Sequence, residues 1–255
     1  MSKLRVAIHD NRSGLGRAAA DIASRAILEA CNENESATLV VATGSSQFEV
    51  LAELSTVAAI PWERVTIYHL DEYVGLAPDH PASFRRFLHE RFIDRLPAAP
   101  AAFHELDGLA ADPAAECSRL AALVPATPFD VAMIGIGENA HLAFNDPPAD
   151  FAVDSPYLVV ALDERCRLQQ VGEGWFPALA AVPAQAISMS VRRILSSRTI
   201  VCSVPDRRKA AAVRDSVEGP VTPNVPASIL QRHENCHLLL DRESAGLLRR
   251  SAVAT

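Results

Sequence analysis

Short apolar runs alternate with stretches of helical periodicity along nearly all of this 255-residue chain, and that alternation constrains its fold more than any other feature. Arg5 to Ile8, Thr38 to Val41, Val65 to Tyr68, Val131 to Ile134, Tyr157 to Ala161, Ala186 to Met189, Thr199 to Val204 and His237 to Leu240 each read as a strand. Between them, Leu15, Ala19, Ile22, Ala26 and Ala30 fall at helical spacing, and Phe48, Leu51, Ala52 and Leu54 mark a second helix. Ser83 is placed to cap a third helix carrying Phe84, Phe87, Leu88 and Phe92. Pro113 to Leu123, Glu164 to Val171 and Arg207 to Val217 predict further helices, with a short one after the last strand. Strands that are apolar throughout are buried on both faces, and intervening helices supply the cover. The expectation is an α/β fold, a mostly parallel sheet with helices on both faces, in one domain spanning residues 1–255. The proline-rich stretch Gly219 to Pro226 is too short to separate domains and reads as a loop.

Composition excludes several classes of function. Hydrophobic residues make up 49% of the chain, enough for a large core, yet no apolar run reaches the length of a membrane span. The net charge is −7 with both signs interspersed, so there is no basic stripe for a nucleic acid. The five cysteines, Cys31, Cys117, Cys166, Cys202 and Cys236, are widely spaced and form no C-x-x-C pair, which predicts buried reduced thiols rather than a disulfide or zinc framework. The opening residues lead straight into the first strand without a signal peptide, so a cytoplasmic protein is expected.

Ligands of open α/β sheets bind beyond the carboxyl ends of the strands, and three segments at such ends carry chemistry. Thr43-Gly44-Ser45-Ser46 offers a glycine for close backbone approach and hydroxyl donors at the start of a helix; it reads either as a capped turn or as a phosphate cradle. In His69-Leu70-Asp71-Glu72-Tyr73, two adjacent carboxylates follow a strand. Extended backbone sends successive side chains to opposite faces, so one of the pair can face a site while the other turns elsewhere. The third segment, Gly135 to Pro147, packs Gly137, Glu138, Asn139, His141 and Asp146 into one short loop, with the histidine as a proton carrier near neutral pH. His69, Asp71, His80 and His141 are possible metal ligands, but no metal-binding spacing links them, and no metal is expected.

At these loops the chain resembles the glucosamine-6-phosphate deaminase (isomerase) family, relatives of 6-phosphogluconolactonase. Asp71-Glu72-Tyr73-Val74-Gly75-Leu76 followed by His80-Pro81-Ala82-Ser83-Phe84 is similar to that family's D-E-Y-V-G-L and H-P-x-S-Y signature. Gly135 to Pro147 is similar to its G-x-G-x-D-G-H-I-A-F-N-E-P segment, and Phe144-Asn145-Asp146-Pro147 sides with deaminases rather than lactonases. The resemblance implies a modified Rossmann-like sheet without a nucleotide cofactor. It further implies ring opening of an amino-sugar phosphate, proton transfer from C2 to C1, and loss of ammonia to leave a ketose 6-phosphate. By position, Asp71 would be the base and His141 the ring-opening group, with Thr43, Gly44, Ser45, Ser46, Gly137 and Lys209 binding substrate.

The chain departs from the family pattern at several places. Asn139 stands where the family has aspartate, so Glu138 is a candidate to supply the missing charge. Ala140 replaces the glycine before the histidine, and Asp146 replaces a glutamate. Arg167 is the candidate for the family's phosphate-binding arginine. A lid is expected between Leu162 and Ala184, hinged at Gly172-Glu173-Gly174, with Trp175 and Phe176 covering the site. Two alternatives accompany the deaminase reading: a sugar-lactone hydrolase of the sister family, and a non-catalytic sugar-phosphate sensor. The expected partner is a small sugar phosphate, and assembly as a homo-oligomer is left open.

Overall fold

The computed structural model describes residues 3–249. Its main sheet has seven parallel strands in the order β1 (Arg5–His9), β10 (Cys236–Asp241), β9 (Thr199–Val204), β6 (Val131–Ile134), β2 (Ala37–Val41), β3 (Val65–His69) and β5 (Ala102–His104). The burial pattern follows the sequence. Every residue of β6 and β9 is buried, whereas the edge strand β1 has no buried residue and β5 is only half-buried. Helices α1 (Arg12–Asn34), α2 (Phe48–Leu54) and α3 (Phe84–Arg91) form a core with one face of the sheet through Leu15, Ala19, Leu51, Leu54 and Leu88. The opposite face packs on α4 (Pro113–Leu123), α6 (Val191–Leu195) and α7 (Ala210–Glu218) through Leu120, Ile194 and Val213. The fold is therefore α/β with helices on both faces.

Two caps explain why the first and third helices begin where they do. The Asn11 side chain accepts the Gly14 N–H at 2.9 Å, and Ser83 accepts the Arg86 N–H at 3.3 Å. Small residues also matter. A Cβ on Gly16 would lie 2.5 Å from the Glu49 Cβ, so this glycine lets α1 and α2 approach closely.

A second, antiparallel sheet lies outside the expected pattern: β4 (Asp71–Tyr73), β8 (Gln185–Met189) and β7 (Tyr157–Ala161). Leu70 joins it to the main sheet, donating its N–H to the Val41 carbonyl at 3.1 Å and accepting from the Met189 N–H at 2.9 Å. An aromatic nest fills the space around β4. Tyr73 packs on Phe84, Phe144 and Phe176 with ring centroids 4.9, 5.1 and 5.4 Å away. Two strands, β4 and β5, were not legible because each has only three residues. Where the short helix after β10 is expected, the described chain makes turns through residue 248, with the Ser244 N–H bonded to the Asp241 carboxylate at 2.7 Å; the rest of that expectation, residues 250–255, lies outside the described residues. The five cysteines are buried and free. Among the described residues no helix is long and apolar enough to cross a membrane.

Candidate active site

The chain crosses from β1 to the central β2, runs outward through β3 to β5, then returns to β6 beside β2. Sheet growth thus reverses between β2 and β6, and loops leaving such neighbours in opposite directions leave a crevice at their carboxyl ends. A cleft opens there, at the carboxyl ends of the central strands. It is lined by residues after β2 (Thr43, Gly44, Ser45, Ser46), after β3 (Asp71), after β6 (Gly137, His141) and after β9 (Lys209).

The Asp71-Glu72 pair divides as extended backbone requires. Glu72 turns away from the cleft and caps α3. Its carboxylate accepts from the Tyr73 N–H (2.8 Å), the Phe84 N–H (3.2 Å), the Arg85 N–H (2.8 Å) and the Ser83 hydroxyl (3.0 Å). A negative charge there also complements the positive end of the helix. Asp71 faces the cleft, is 6% exposed, and accepts no hydrogen bond from any described residue. Burial pushes both carboxyls above their ordinary range. The four donors hold Glu72 back, whereas burial and then the neighbouring Glu72 charge carry Asp71 up to about 8.

His141 sits on a tight loop over Gly137. A Cβ at position 137 would fall 2.2 Å from the imidazole ring, so only glycine permits this approach. The His141 Nδ1 lies 3.0 Å from Asp146 Oδ1, which also accepts from the Asn139 amide at 2.8 Å; Asp146 Oδ2 accepts from the Asp163 N–H at 2.9 Å. Burial alone would raise Asp146, but its bond to His141 and that residue's charge, then Asn139 and Asp163, hold the carboxyl below its ordinary value. With Nδ1 committed to this carboxylate, Nε2 is the nitrogen left to exchange a proton. The segment is fixed from below. The Asn145 amide donates to the carbonyls of Leu142 and Met189, both at 2.8 Å, and the Ala227 N–H donates to the Ala140 carbonyl at 2.9 Å. Ala140 pays a backbone strain for this loop, with φ at +67°, and Ala143 has φ +52°.

The other end of the cleft is built from scattered pieces. Gly44 has φ +88°, and the Ser45 carbonyl is gripped by Arg12 at 2.5 Å. The Lys209 ammonium, 6% exposed, lies 3.5 Å from the Glu173 carboxylate. Burial, with some help from Arg208, lowers the Lys209 pKa, opposed by the charges of Glu173 and Glu138.

Two expected residues lie elsewhere. Arg167 donates to the carbonyls of Leu179 and Val182 at 2.8 and 2.9 Å and does not line the cleft; it ties α5 (Glu164–Gly172) to the loop before β8. Glu138 points outward to Arg208 at 3.8 Å, so the charge beside His141 comes from Asp146, not Glu138. Trp175 packs on Phe48 and Phe87, and Phe176 on Tyr73, so these aromatics anchor the 162–184 segment rather than cover the cleft. Sequence reasoning missed Gln169, Gln170 and Glu173, which line the cleft from the end of α5. Their signal was weak: polar residues on a short helix ordinarily face solvent.

His141, Asp146 and Cys166 place possible ligand atoms within 4.8 Å of one another. Burial and the adjacent Asp146 and Asp71 charges raise the Cys166 thiol well above its ordinary pKa, and His141 and Asp146 already satisfy each other.

The sequence model of the glucosamine-6-phosphate isomerases/6-phosphogluconolactonase family matches residues 10–238. The chain belongs to this family. It is 35% identical over 246 residues to a glucosamine-6-phosphate deaminase of Lactobacillus delbrueckii subsp. bulgaricus, covering 96% of this chain and 100% of that one. It is 39% identical to the deaminase of Exiguobacterium sibiricum, covering 87% and 85% of the two chains. A solved monomeric glucosamine-6-phosphate deaminase superposes with a TM-score of 0.86 at 33% identity, covering 95% and 99%. A 6-phosphogluconolactonase from Shewanella baltica shares the fold, with a TM-score of 0.73 at 21% identity over 94% and 97% of the chains. As a family member, this chain has relatives of the deaminase branch that match it along most of their length.

Proposed function

We propose that this chain is an enzyme that converts glucosamine 6-phosphate, or a close epimer, to a ketose 6-phosphate and ammonia. The observation that carries the reading is one cleft that holds an unpartnered carboxylate, Asp71, and a carboxylate-oriented imidazole, His141, with hydroxyls and Lys209 at its other end. The deaminase relatives supply the substrate class. His141 moves the proton between O1 and the ring oxygen as the sugar opens. Asp71 takes the C2 proton and returns it to C1 while a proton of the C2 ammonium passes to O1, so C1 becomes a hydroxymethyl carbon and the C2–amine carbon an iminium. Water adds at C2, its oxygen becomes the ketone oxygen, and the nitrogen leaves as ammonia. Asn139 and Asp146 hold His141 in the tautomer this requires. Thr43, Gly44, Ser45, Ser46 and Lys209 bind the phosphate.

We read the two sheets and their helices as one domain, acting on a small molecule in the cytoplasm with no nucleic-acid or membrane partner. The test is ammonia release from glucosamine 6-phosphate, with galactosamine 6-phosphate and 6-phosphogluconolactone alongside. Ammonia from either amino sugar supports the reading; acid release from the lactone with no ammonia from either sugar overturns it.

A further inference from the structure

The phosphate seat already has an occupant. The Ser45 hydroxyl, offered to a ligand by the loop after β2, donates to Glu173 Oε2 at 3.1 Å. The Lys209 ammonium lies 3.5 Å from Glu173 Oε1. The same carboxylate accepts from the Gln169 amide at 2.8 Å and the Trp175 indole N–H at 3.3 Å. Both charged side chains are nearly sealed, 5% exposed for Glu173 and 6% for Lys209. Among the described residues that line the cleft, Lys209 is the only Lys or Arg. With Glu173 seated, its charge is cancelled and the seat is neutral. A phosphate dianion placed against Ser45 and Lys209 would meet a carboxylate at the same donors.

Resting on the phosphate-binding reading of this site, we infer that Glu173 is a specificity-determining residue: its carboxylate occupies the anion seat, and the substrate's phosphate binds by displacing it from Ser45 and Lys209. The backbone is built for such a displacement. Glu173 stands between Gly172 and Gly174 at the end of α5; Gly174 has φ +82°, and a Cβ on either glycine would meet nothing within 4 Å. The hinge is bounded on the far side by Trp175, held against Phe48 and Phe87. The internal carboxylate competes with every anion, so a free small anion binds weakly, whereas a sugar phosphate adds the contacts of its sugar to the contest. The buried ion pair also has a second role: without an anion in the seat, Lys209 would be left buried and unpaired.

Glu173→Gln removes the charge and keeps the shape. Inorganic phosphate titrated into the unliganded protein, followed by Trp175 fluorescence and calorimetry, should bind at least tenfold more tightly to Glu173→Gln than to wild type. The KM for glucosamine 6-phosphate should fall in the same direction. Lys209→Met introduced into Glu173→Gln should erase the gain. A merely structural glutamate would not improve anion binding when neutralised, so unchanged or weaker phosphate affinity in a folded Glu173→Gln overturns the inference. If that variant melts early, Glu173→Asp, which withdraws the carboxylate by one methylene, should give a smaller gain, and no gain there overturns it equally. The phosphate titration needs no turnover. It therefore decides the role of Glu173 even if wild type releases no ammonia, an outcome that would sink the deaminase reading alone.

Discussion

The two ends of the cleft are made differently. At the proton-transfer end, His141, Asn139 and Asp146 come from one contiguous loop after β6, and Asp71 from the strand entered immediately after β3. At the anion end, Ser45, Glu173 and Lys209 arrive from three distant stretches of chain. Asp71 apart, the first end is tightly connected: each carboxylate oxygen of Asp146 has a donor, and the loop is bolted to β8 through Asn145. The second is held by a carboxylate that imitates a ligand. A contiguous loop fixes geometry locally, whereas scattered pieces can be rearranged by one hinge.

The sharpest way to break this division is Asp71→Asn. It should lower kcat by about 10²–10⁴-fold, the range for a positioned acid–base group, and leave binding of sugar phosphate intact. Steady-state kinetics beside a binding titration checks both halves. The pH behaviour has a definite sign. Burial raises the folded-state pKa of Asp71 to about 8, so in the free enzyme the carboxylate needed as a base appears only as pH approaches that value. Wild-type kcat/KM should therefore rise with pH to about 8. The same group favours the folded state while protonated and loses that contribution as pH climbs from the unfolded value of 3.8 through the folded one. The Tm of Asp71→Asn should accordingly gain on wild type between pH 4 and pH 8; a constant difference would show that Asp71 is not buried as described.

A second contrast lies within the histidine loop. Asp146→Asn should reduce kcat by roughly 10²-fold, since an amide cannot stabilise the imidazolium. Glu138→Gln, whose carboxylate faces Arg208, should stay within about twofold of wild type, as surface pairs contribute little. Equal losses from the two variants would restore Glu138 as the partner of His141.

At the anion end, Lys209→Met should raise KM by about 10–100-fold, the loss of a charged hydrogen bond, with a small change in kcat. A kcat defect with unchanged KM would mean that the two ends are not separable. The smallest effect is expected at Ala140. Its φ of +67° suits glycine, so Ala140→Gly should stabilise the protein by about 1 kcal/mol in urea unfolding.

The chemistry end was legible in the sequence because its residues are neighbours in the chain and follow apolar strands that could be recognised as strands. Glu72 illustrates how far this reaches: alternation in extended backbone already sends one acid of the pair away from the site, and the structure gives it α3 to cap. The partner of His141 was less legible, because Glu138 and Asp146 are both acids of the same loop and only the fold of that loop decides between them. Arg167 was offered as the counterpart of the family's phosphate-binding arginine, and neither that resemblance nor the helical periodicity of α5 says which face of the helix meets the cleft; its guanidinium goes to the Leu179 and Val182 carbonyls instead. Glu173 was visible only as part of a hinge, since nothing in Gly172-Glu173-Gly174 announces a partner more than a hundred residues away at Ser45.

The central claim, that a sheltered Asp71 carries one proton from C2 to C1, is tested most directly by isotope transfer. Glucosamine 6-phosphate deuterated at C2 would be turned over in ordinary water and the ketose 6-phosphate examined by NMR. A carboxylate only 6% exposed should deliver part of the deuterium to C1, with one ammonia formed per ketose. A product that carries no deuterium at C1 would contradict the account, because the proton would then pass to solvent rather than across the face of the sugar on Asp71.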